Sequence, residues 1–309
     1  MSDFDVLFSD LFLSEDDVYG LSVVERERRV DDLIVQAFDI YDYAVREYVT
    51  DRNRSLKSTA VLFSGGNDST FLLHLFRDAA DVAVHIDTTI GIRETRQFVD
   101  ETCALFGVPL MVESAPVPYR DLVVELGFPG PSLHYIMYQR LKERAVDAVR
   151  RKLLEFPRRE LVVFLSGRRR TESHRRASVP YLSRDGAQVW CSPVANWTKP
   201  DIATYKARFD DFPVNPVSEL IHMSGECLCG AFASKGEFEQ LKFFFPEMAE
   251  LIHQLEHEVA KNDKIPDYQK QWGWGSYAQN HHRARAKNSQ DVKVGPLCSD
   301  CEFRLGDHD

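Results

Sequence analysis

Three clusters in this 309-residue chain hold side chains suited to chemistry. The first is Ser64-Gly65-Gly66-Asn67-Asp68-Ser69-Thr70. Two adjacent glycines let a backbone approach an anion closely and permit positive φ. A helix starting just after them would turn its free N–H groups and its dipole on a phosphate. Asp68 is expected to cap that helix or to help organise a Mg²⁺ ion, with Ser64, Ser69 and Thr70 as hydroxyl donors. The lysine of a Walker loop is absent. A plain Gly-Gly turn capped by Asp68 fits the same local residues.

The second cluster runs from Ser166 and Gly167 through Arg168-Arg169-Arg170 to Arg175-Arg176. Arg169, Glu172, Ser173 and Arg176 fall at i, i+3, i+4 and i+7, which predicts one face of a helix. Paired guanidiniums suit a bound phosphate or sulfate because their donors are forked and always charged. Glu172 is expected to hold an arginine in place or to meet a ribose or metal. A solvated basic helix tied by its own ion pairs is the alternative.

The third cluster is two cysteine pairs, Cys227/Cys229 and Cys298/Cys301. Four thiolates in two pairs fit a tetrahedral site for Zn²⁺ or an iron–sulfur cluster, and the Cys-x-Cys spacing leans toward iron–sulfur. Chance pairing of buried thiols is the alternative. Cys103 and Cys191 are expected in the core. Further on, Trp272, Trp274 and Tyr277 interleave with His281, His282, Arg283, Arg285 and Lys287, a pattern that suits base stacking and phosphate contacts. A surface loop packing its tryptophans on the metal domain explains it as well.

The elements that must position these residues are readable from hydrophobic period. Residues 23–49 predict a helix buried through Val24, Leu33, Ile34, Ala37, Ile40 and Tyr41. Apolar runs at 59–63, 82–86, 108–112 and 161–165 predict strands, alternating with amphipathic stretches. That order predicts an α/β fold, a parallel sheet covered by helices on both faces. Ligands in such sheets sit beyond the carboxyl ends of the strands. The expected domains are an N-terminal helical segment (1–57), a nucleotide-binding domain (58–212) and a smaller, mainly helical, cysteine-bearing domain (213–309).

With those residues in hand, the chain resembles the adenine-nucleotide α-hydrolase (PP-loop) superfamily. Within it, the likeness is to the PAPS-reductase-like family and most of all to DndC-type phosphorothioation proteins. Ser64 to Ser69 resembles the family's SGGxDS loop, although Asn67 stands where relatives often carry Lys. Ile86-Asp87-Thr88 followed by Glu94-Thr95 resembles an IDTG…ET pattern with Thr89 in place of Gly. Leu141-Lys142 resembles a phosphate-side lysine. Gly167, Arg169, Glu172, Ser173 and Arg176 fit GxRxxESxxR, and Pro193, Trp197, Thr198, Asp201 and Tyr205 fit PxxxWTxxDxxxY. Ser224 to Ala233 resembles the DndC cysteine segment. The likeness covers roughly residues 58 to 235.

It implies a Rossmann-like PP-loop fold and an ATP-dependent sulfurtransferase that adenylates and thiolates an acceptor, releasing pyrophosphate. Asp68, Arg169, Arg176 and Glu172 would be catalytic. Ser64, Gly65, Gly66, Asn67, Ser69, Thr70, Asp87, Thr88, Lys142 and Gly167 would hold the nucleotide. Cys227, Cys229, Cys298 and Cys301 would carry a [4Fe–4S] cluster, with Zn²⁺ as the alternative. Implied partners are ATP with Mg²⁺, a nucleic-acid acceptor and a cysteine desulfurase as sulfur donor. A phosphoadenosine- or adenosine-phosphosulfate reductase is the second reading. The nucleophilic cysteine such reductases carry in an ECGLH-like tail has no counterpart in Phe303 to Asp309. A non-catalytic nucleotide-binding subunit of a defence or regulatory complex is the third, resting on Asn67 and Thr89.

Composition bounds these readings. Charged residues make up 28% and the formal net charge is −10, which disfavours nucleic-acid binding by the whole surface. No apolar run is long enough to span a bilayer, and the acidic start MSDFDVLFSD lacks a secretory pattern. The expectation is a cytoplasmic protein without a membrane partner.

Overall fold

The computed structural model describes residues 11–50, 54–173, 176–234 and 236–277. Cys298, Cys301 and the basic stretch from His281 to Lys287 lie outside the described residues. Among the described residues no helix is long and apolar enough to cross a membrane.

A short helix α1 (Glu15–Tyr19) opens on a capping box between Ser14 and Asp17. The long α2 (Val23–Thr50) opens on a similar pair, Ser22 and Glu25. Its buried stripe is Val30, Leu33, Ala37, Ile40 and Ala44, each 0% exposed. Val24, expected in that stripe, is 68% exposed, one turn outside the packed stretch.

Six strands among the described residues form one sheet, in the order β3-β2-β1-β4-β6-β5. They are β1 (Ser55–Leu62), β2 (Val82–Asp87), β3 (Leu110–Ser114), β4 (Glu160–Leu165), β5 (Leu182–Asp185) and β6 (Gln188–Cys191). β1 pairs parallel with β2 and β4, and β4 parallel with β6. β5 returns antiparallel on β6 through a turn at Gly186, whose φ is 60°. The fold is therefore α/β with a mostly parallel sheet and helices on both faces. β4 is buried at every position, as a central strand covered on both sides must be. The remaining helices relevant here are α3 (Asn67–Phe76), α4 (Arg93–Phe106), α5 (Tyr119–Leu126), α6 (His134–Tyr138), α7 (Arg144–Leu153) and α8 (Lys199–Lys206). After them come α9 (Pro216–Ile221), α10 (Glu237–Phe244), α11 (Pro246–Ala260) and α12 (Trp274–Tyr277).

The chain divides into two compact units whose limits differ from the expected domains. One comprises Met1–His85, Asp100–Met111 and Val149–Val214, so the N-terminal helices belong to it rather than standing apart. A buried ion pair from Arg29 of α2 to Asp201 of α8, at 3.0 Å, helps fix them there. The other comprises Ile86–Val99, Val112–Ala148 and Asn215–Asp309. Its core joins Ile90, Tyr119, Leu122 and Met137 to Leu241, Ile252 and Leu255, so a boundary placed by sequence order at residue 213 misses half of it.

Candidate functional site

The first unit holds the glycine loop. β1 hands over at Phe63, whose N–H still donates to Val84, and the chain turns through Gly65 at φ 79°. Gly66 is the N-cap of α3 and no side chain caps the helix. Asp68 therefore does not take the capping role expected of it. Ser69 and Thr70 turn their hydroxyls back onto the Gly66 carbonyl, at 3.0 and 2.9 Å, and Ser64 bonds Ser69 at 3.0 Å. These bonds hold the loop closed on itself. The first backbone N–H groups of α3 face outward from the helix end, which suits an anion.

Gly167, just after β4, lies against the loop. A methyl there would stand 3.2 Å from the Asp68 carbonyl oxygen, so the small residue permits the close approach. Arg169 follows, 1% exposed, and donates from Nε to Asp68 Oδ2 at 2.8 Å. Its Nη1 reaches Thr171 Oγ1 at 3.1 Å and Glu15 Oε1 at 3.5 Å. Burial opposes the Arg169 charge, but Asp68, Glu172 and Glu15 outweigh it and hold the guanidinium above the ordinary arginine range.

The expected arginine helix does not form. Arg169 is extended, and only Arg170–Glu172 makes a 3₁₀ turn. Tertiary partners override the helical spacing. The Arg170 N–H goes to Ala195, its guanidinium lies 4.1 Å over the Tyr181 ring, and Arg168 bonds Ser166 and Ser192. Glu172 and Arg176 still pair, both buried. The structure thus brings Ser64, Gly65, Gly66, Asp68, Ser69, Gly167 and Arg169 to one place.

Trp197 to Tyr205 serves as scaffold. Thr198 and Asp201 form the capping box of α8, Trp197 is fully buried, and the Tyr205 hydroxyl meets His74 Nδ1 at 2.7 Å. Cys191 is buried, which pushes its thiol far up. It and Cys103 are core residues as expected.

The second unit holds the cysteine turn. Gly225 and Gly230 bracket Cys227 and Cys229 at φ 72° and 76°. Side chains from all round grip the carbonyls of this turn. Thr95 donates to Ser224, Thr88 to Glu226 at 2.7 Å, Trp272 Nε1 to Leu228 at 2.9 Å and the Tyr119 hydroxyl to Cys229 at 2.8 Å. Gly91 packs so closely that a methyl would meet the Glu226 oxygen at 2.7 Å. Lys142 pairs with Glu226 at 2.7 Å, both buried. Thr88 and Lys142, expected at a nucleotide, make these contacts to the cysteine turn.

Asp87 ends β2, where its carboxylate accepts from the Thr89 N–H at 2.8 Å and the Ser114 hydroxyl at 3.1 Å. Thr89 keeps the left-handed backbone (φ 62°) that a glycine would take at this position.

The Cys227 and Cys229 sulfurs are the soft donor atoms that this turn carries. The hydrogen bond shared with Cys229, in which the Cys227 thiol keeps its proton, and then burial push that thiol up. Two adjacent cysteines on so rigid a turn fit half of a thiolate metal site. Among the described residues no group of three or more potential ligands forms, and Cys298 and Cys301 lie outside them. The loop's one acid, Asp68, expected to help organise Mg²⁺, faces Arg169. The tryptophans expected to stack on nucleic acid are packed. Trp272 is 4% exposed and Trp274 Nε1 donates to the Phe128 carbonyl at 2.7 Å.

Sequence reasoning missed Glu15, Glu226 and Lys206, the last of which donates to Asn67 Oδ1 at 3.0 Å. Each lies far along the chain from the group it meets, so no local spacing joins the two.

Over 187 residues the chain is 26% identical to an adenosine 5'-phosphosulfate reductase of Chelativorans sp., covering 60% of this chain and 73% of that protein. Over 176 residues it is 30% identical to a phosphoadenosine 5'-phosphosulfate reductase of Vibrio cholerae serotype O1, covering 53% of this chain and 64% of the relative. A sulfate adenylyltransferase subunit 2 of Burkholderia lata is 28% identical over 201 residues, 57% of this chain and 64% of its own length. The phosphoadenosine phosphosulfate reductase domain model matches residues 58–220, a span that runs from within β1 into α9 and holds the whole glycine loop. That span is more than half of the 309 residues, and the chain belongs to the phosphoadenosine phosphosulfate reductase domain family.

Proposed function

We propose that this chain binds a sulfonucleotide, adenylyl sulfate or its 3'-phosphorylated form, at the Ser64–Thr70 loop and supports its reduction. In that reaction a thiolate of an external dithiol attacks sulfur, the bond from sulfur to the phosphate oxygen breaks, and the adenosine phosphate leaves. Two electrons from a dithiol then release sulfite. The observation that carries this reading is the Asp68–Arg169 pair. A triphosphate arrives with Mg²⁺, which is usually held through carboxylates. Here the loop's carboxylate is already matched by a buried guanidinium, which suits a ligand that brings no metal with it. The loop amides would hold the phosphate, and Arg169 would stabilise charge building on the leaving group. The names of the relatives support the same choice.

The second reading is the ATP-dependent sulfurtransferase of DndC type, acting on an acceptor such as nucleic acid with sulfur from a desulfurase. The cysteine turn and the sulfate adenylyltransferase relative favour it. In either reading Cys227 and Cys229, with Cys298 and Cys301, are the residues that would hold a [4Fe–4S] cluster or Zn²⁺. Such a group would supply electron-transfer capacity or, as Zn²⁺, a structural clamp on these thiolates. Asp87, Thr88, Lys142, Glu172 and Arg176 are proposed as supporting residues.

Anaerobic protein given each sulfonucleotide and a dithiol reductant should release sulfite. Pyrophosphate from ATP without sulfite would select the second reading. Neither product would overturn both and leave a nucleotide-binding subunit.

A further inference from the structure

Lys206 ends α8 with its ammonium on the glycine loop. Nζ donates to the side-chain oxygen of Asn67, the first residue of α3, at 3.0 Å. Its half-buried stem runs beside Phe212, with the ammonium 5.0 Å from the ring centroid. That one amide oxygen is a neutral acceptor. Among the described residues no carboxylate lies within ion-pair distance of Lys206, although an ammonium has three N–H groups to place.

The charges around the loop make this lysine matter. Arg169 already faces two carboxylates, Asp68 at 2.8 Å and Glu15 at 3.5 Å. Those three groups alone sum to one negative charge, which repels a phosphate. Burial lowers the Lys206 ammonium from its ordinary value although Asp68 pulls the other way, the strain of a cation with no matching anion. An arriving phosphate would relieve it.

Resting on the nucleotide reading above, we infer that Lys206 is the anion-binding residue of the loop, held over the N-terminus of α3 by Asn67 and contacting the phosphate or phosphosulfate of the ligand. Asn67 itself supplies no charge; it positions a lysine that comes from 139 residues away.

The test uses the full chain and adenylyl sulfate, with inorganic pyrophosphate as a second probe, measured by calorimetry. Lys206→Met keeps the apolar stem beside Phe212 and removes the charge. It should weaken both ligands about tenfold to a hundredfold, the scale of one charge-assisted contact. Lys206→Arg should keep most of the affinity. Adding Asn67→Lys to Lys206→Met should restore at least about tenfold, because the charge returns to the same end of α3. A merely structural lysine would lower the melting temperature without this rescue. Unchanged affinity in Lys206→Met, or a loss that the transposed lysine leaves unrepaired, overturns this role while wild-type binding keeps the nucleotide reading. No binding by the wild type overturns both.

Discussion

Arg169 and Asp68, 101 positions apart in sequence, meet through Nε and Oδ2 at 2.8 Å, and the arginine side chain is only 2% exposed. The pair ties the segment after β4 to the first turn of α3. It therefore sets where the loop stands relative to any group bound there, and it makes Asp68 a structural residue as well as a loop residue.

Removing one partner tests that double role. Asp68→Asn takes from the buried guanidinium its nearest carboxylate and leaves Glu172 and Glu15, so stability in urea should fall by about 2–3 kcal/mol. Arg169→Lys keeps the charge and loses the fork. It should retain ligand binding within about tenfold and lower turnover by about thirtyfold or more, the scale of one transition-state contact. Full turnover in Arg169→Lys would move charge stabilisation to another residue.

His74 gives an acid-side prediction. Its Nε2 lies 2.7 Å from Arg77 Nη1, which only donates, so Nε2 accepts and Nδ1 carries the proton to the Tyr205 hydroxyl. Burial, then the Arg77 charge, lowers His74 from 6.5 to about 4, against a smaller pull from Asp211 and Asp78. Between those values the unfolded chain binds a proton that the native ring refuses. Stability is therefore full above pH 6.5 and falls as pH drops toward 4, by about 1–2 kcal/mol at pH 5. Urea unfolding at pH 5, 6 and 7 should show this slope in wild type and lose it in His74→Phe. Equal slopes would exclude His74 as the cause.

Local pattern carried much of this architecture. The inner stretches of β1, β2 and β4, at 60–62, 82–84 and 161–165, are continuous apolar runs because both faces are covered, and the glycine loop stands out because strand, Gly-Gly and helix follow in order. The arginine run misled for a physical reason. Its i, i+3, i+4, i+7 spacing is helical, yet Arg168, Arg169 and Arg170 each bond a partner that the helix would have pulled away. Thr88 and Lys142 matched motif positions, but their contacts go to Glu226, 138 and 84 positions onward, and no local rule foresees such a pair.

Thr89 separates backbone strain from hydrogen bonding. A β-branched residue at φ 62° is strained, and its Oγ1 accepts from the first N–H of α5, at Tyr119, at 2.7 Å. Thr89→Gly loses the bond and the strain together and should change stability by less than about 1 kcal/mol. Thr89→Val keeps the strain and orphans the Tyr119 N–H, a loss of about 1–2 kcal/mol. Thermal melts that rank the two the other way would show that the hydroxyl does not cap α5.

The cysteine turn allows a matched comparison of two glycines. Gly230 and Gly236 both have positive φ, 76° and 87°. A methyl on Gly236 meets nothing within 4 Å, whereas one on Gly230 would stand 2.6 Å from Trp272 Nε1. That indole nitrogen is the donor to the Leu228 carbonyl between the two cysteines. Gly236→Ala should therefore show only the left-handed penalty, about 1–2 kcal/mol. Gly230→Ala adds the displaced indole and its broken bond, for a total of about 2–4 kcal/mol. The second readout is metal. If Cys227 and Cys229 are ligands, iron or zinc taken up on anaerobic reconstitution should fall in Gly230→Ala and stay at the wild-type level in Gly236→Ala, although every cysteine remains in both. Trp272→Phe, which loses the bond without a clash, should lie between them. Equal metal uptake in all three variants, with Gly230→Ala measurably destabilised, would mean that the shape of this turn serves packing alone and that the thiols it presents are not metal ligands.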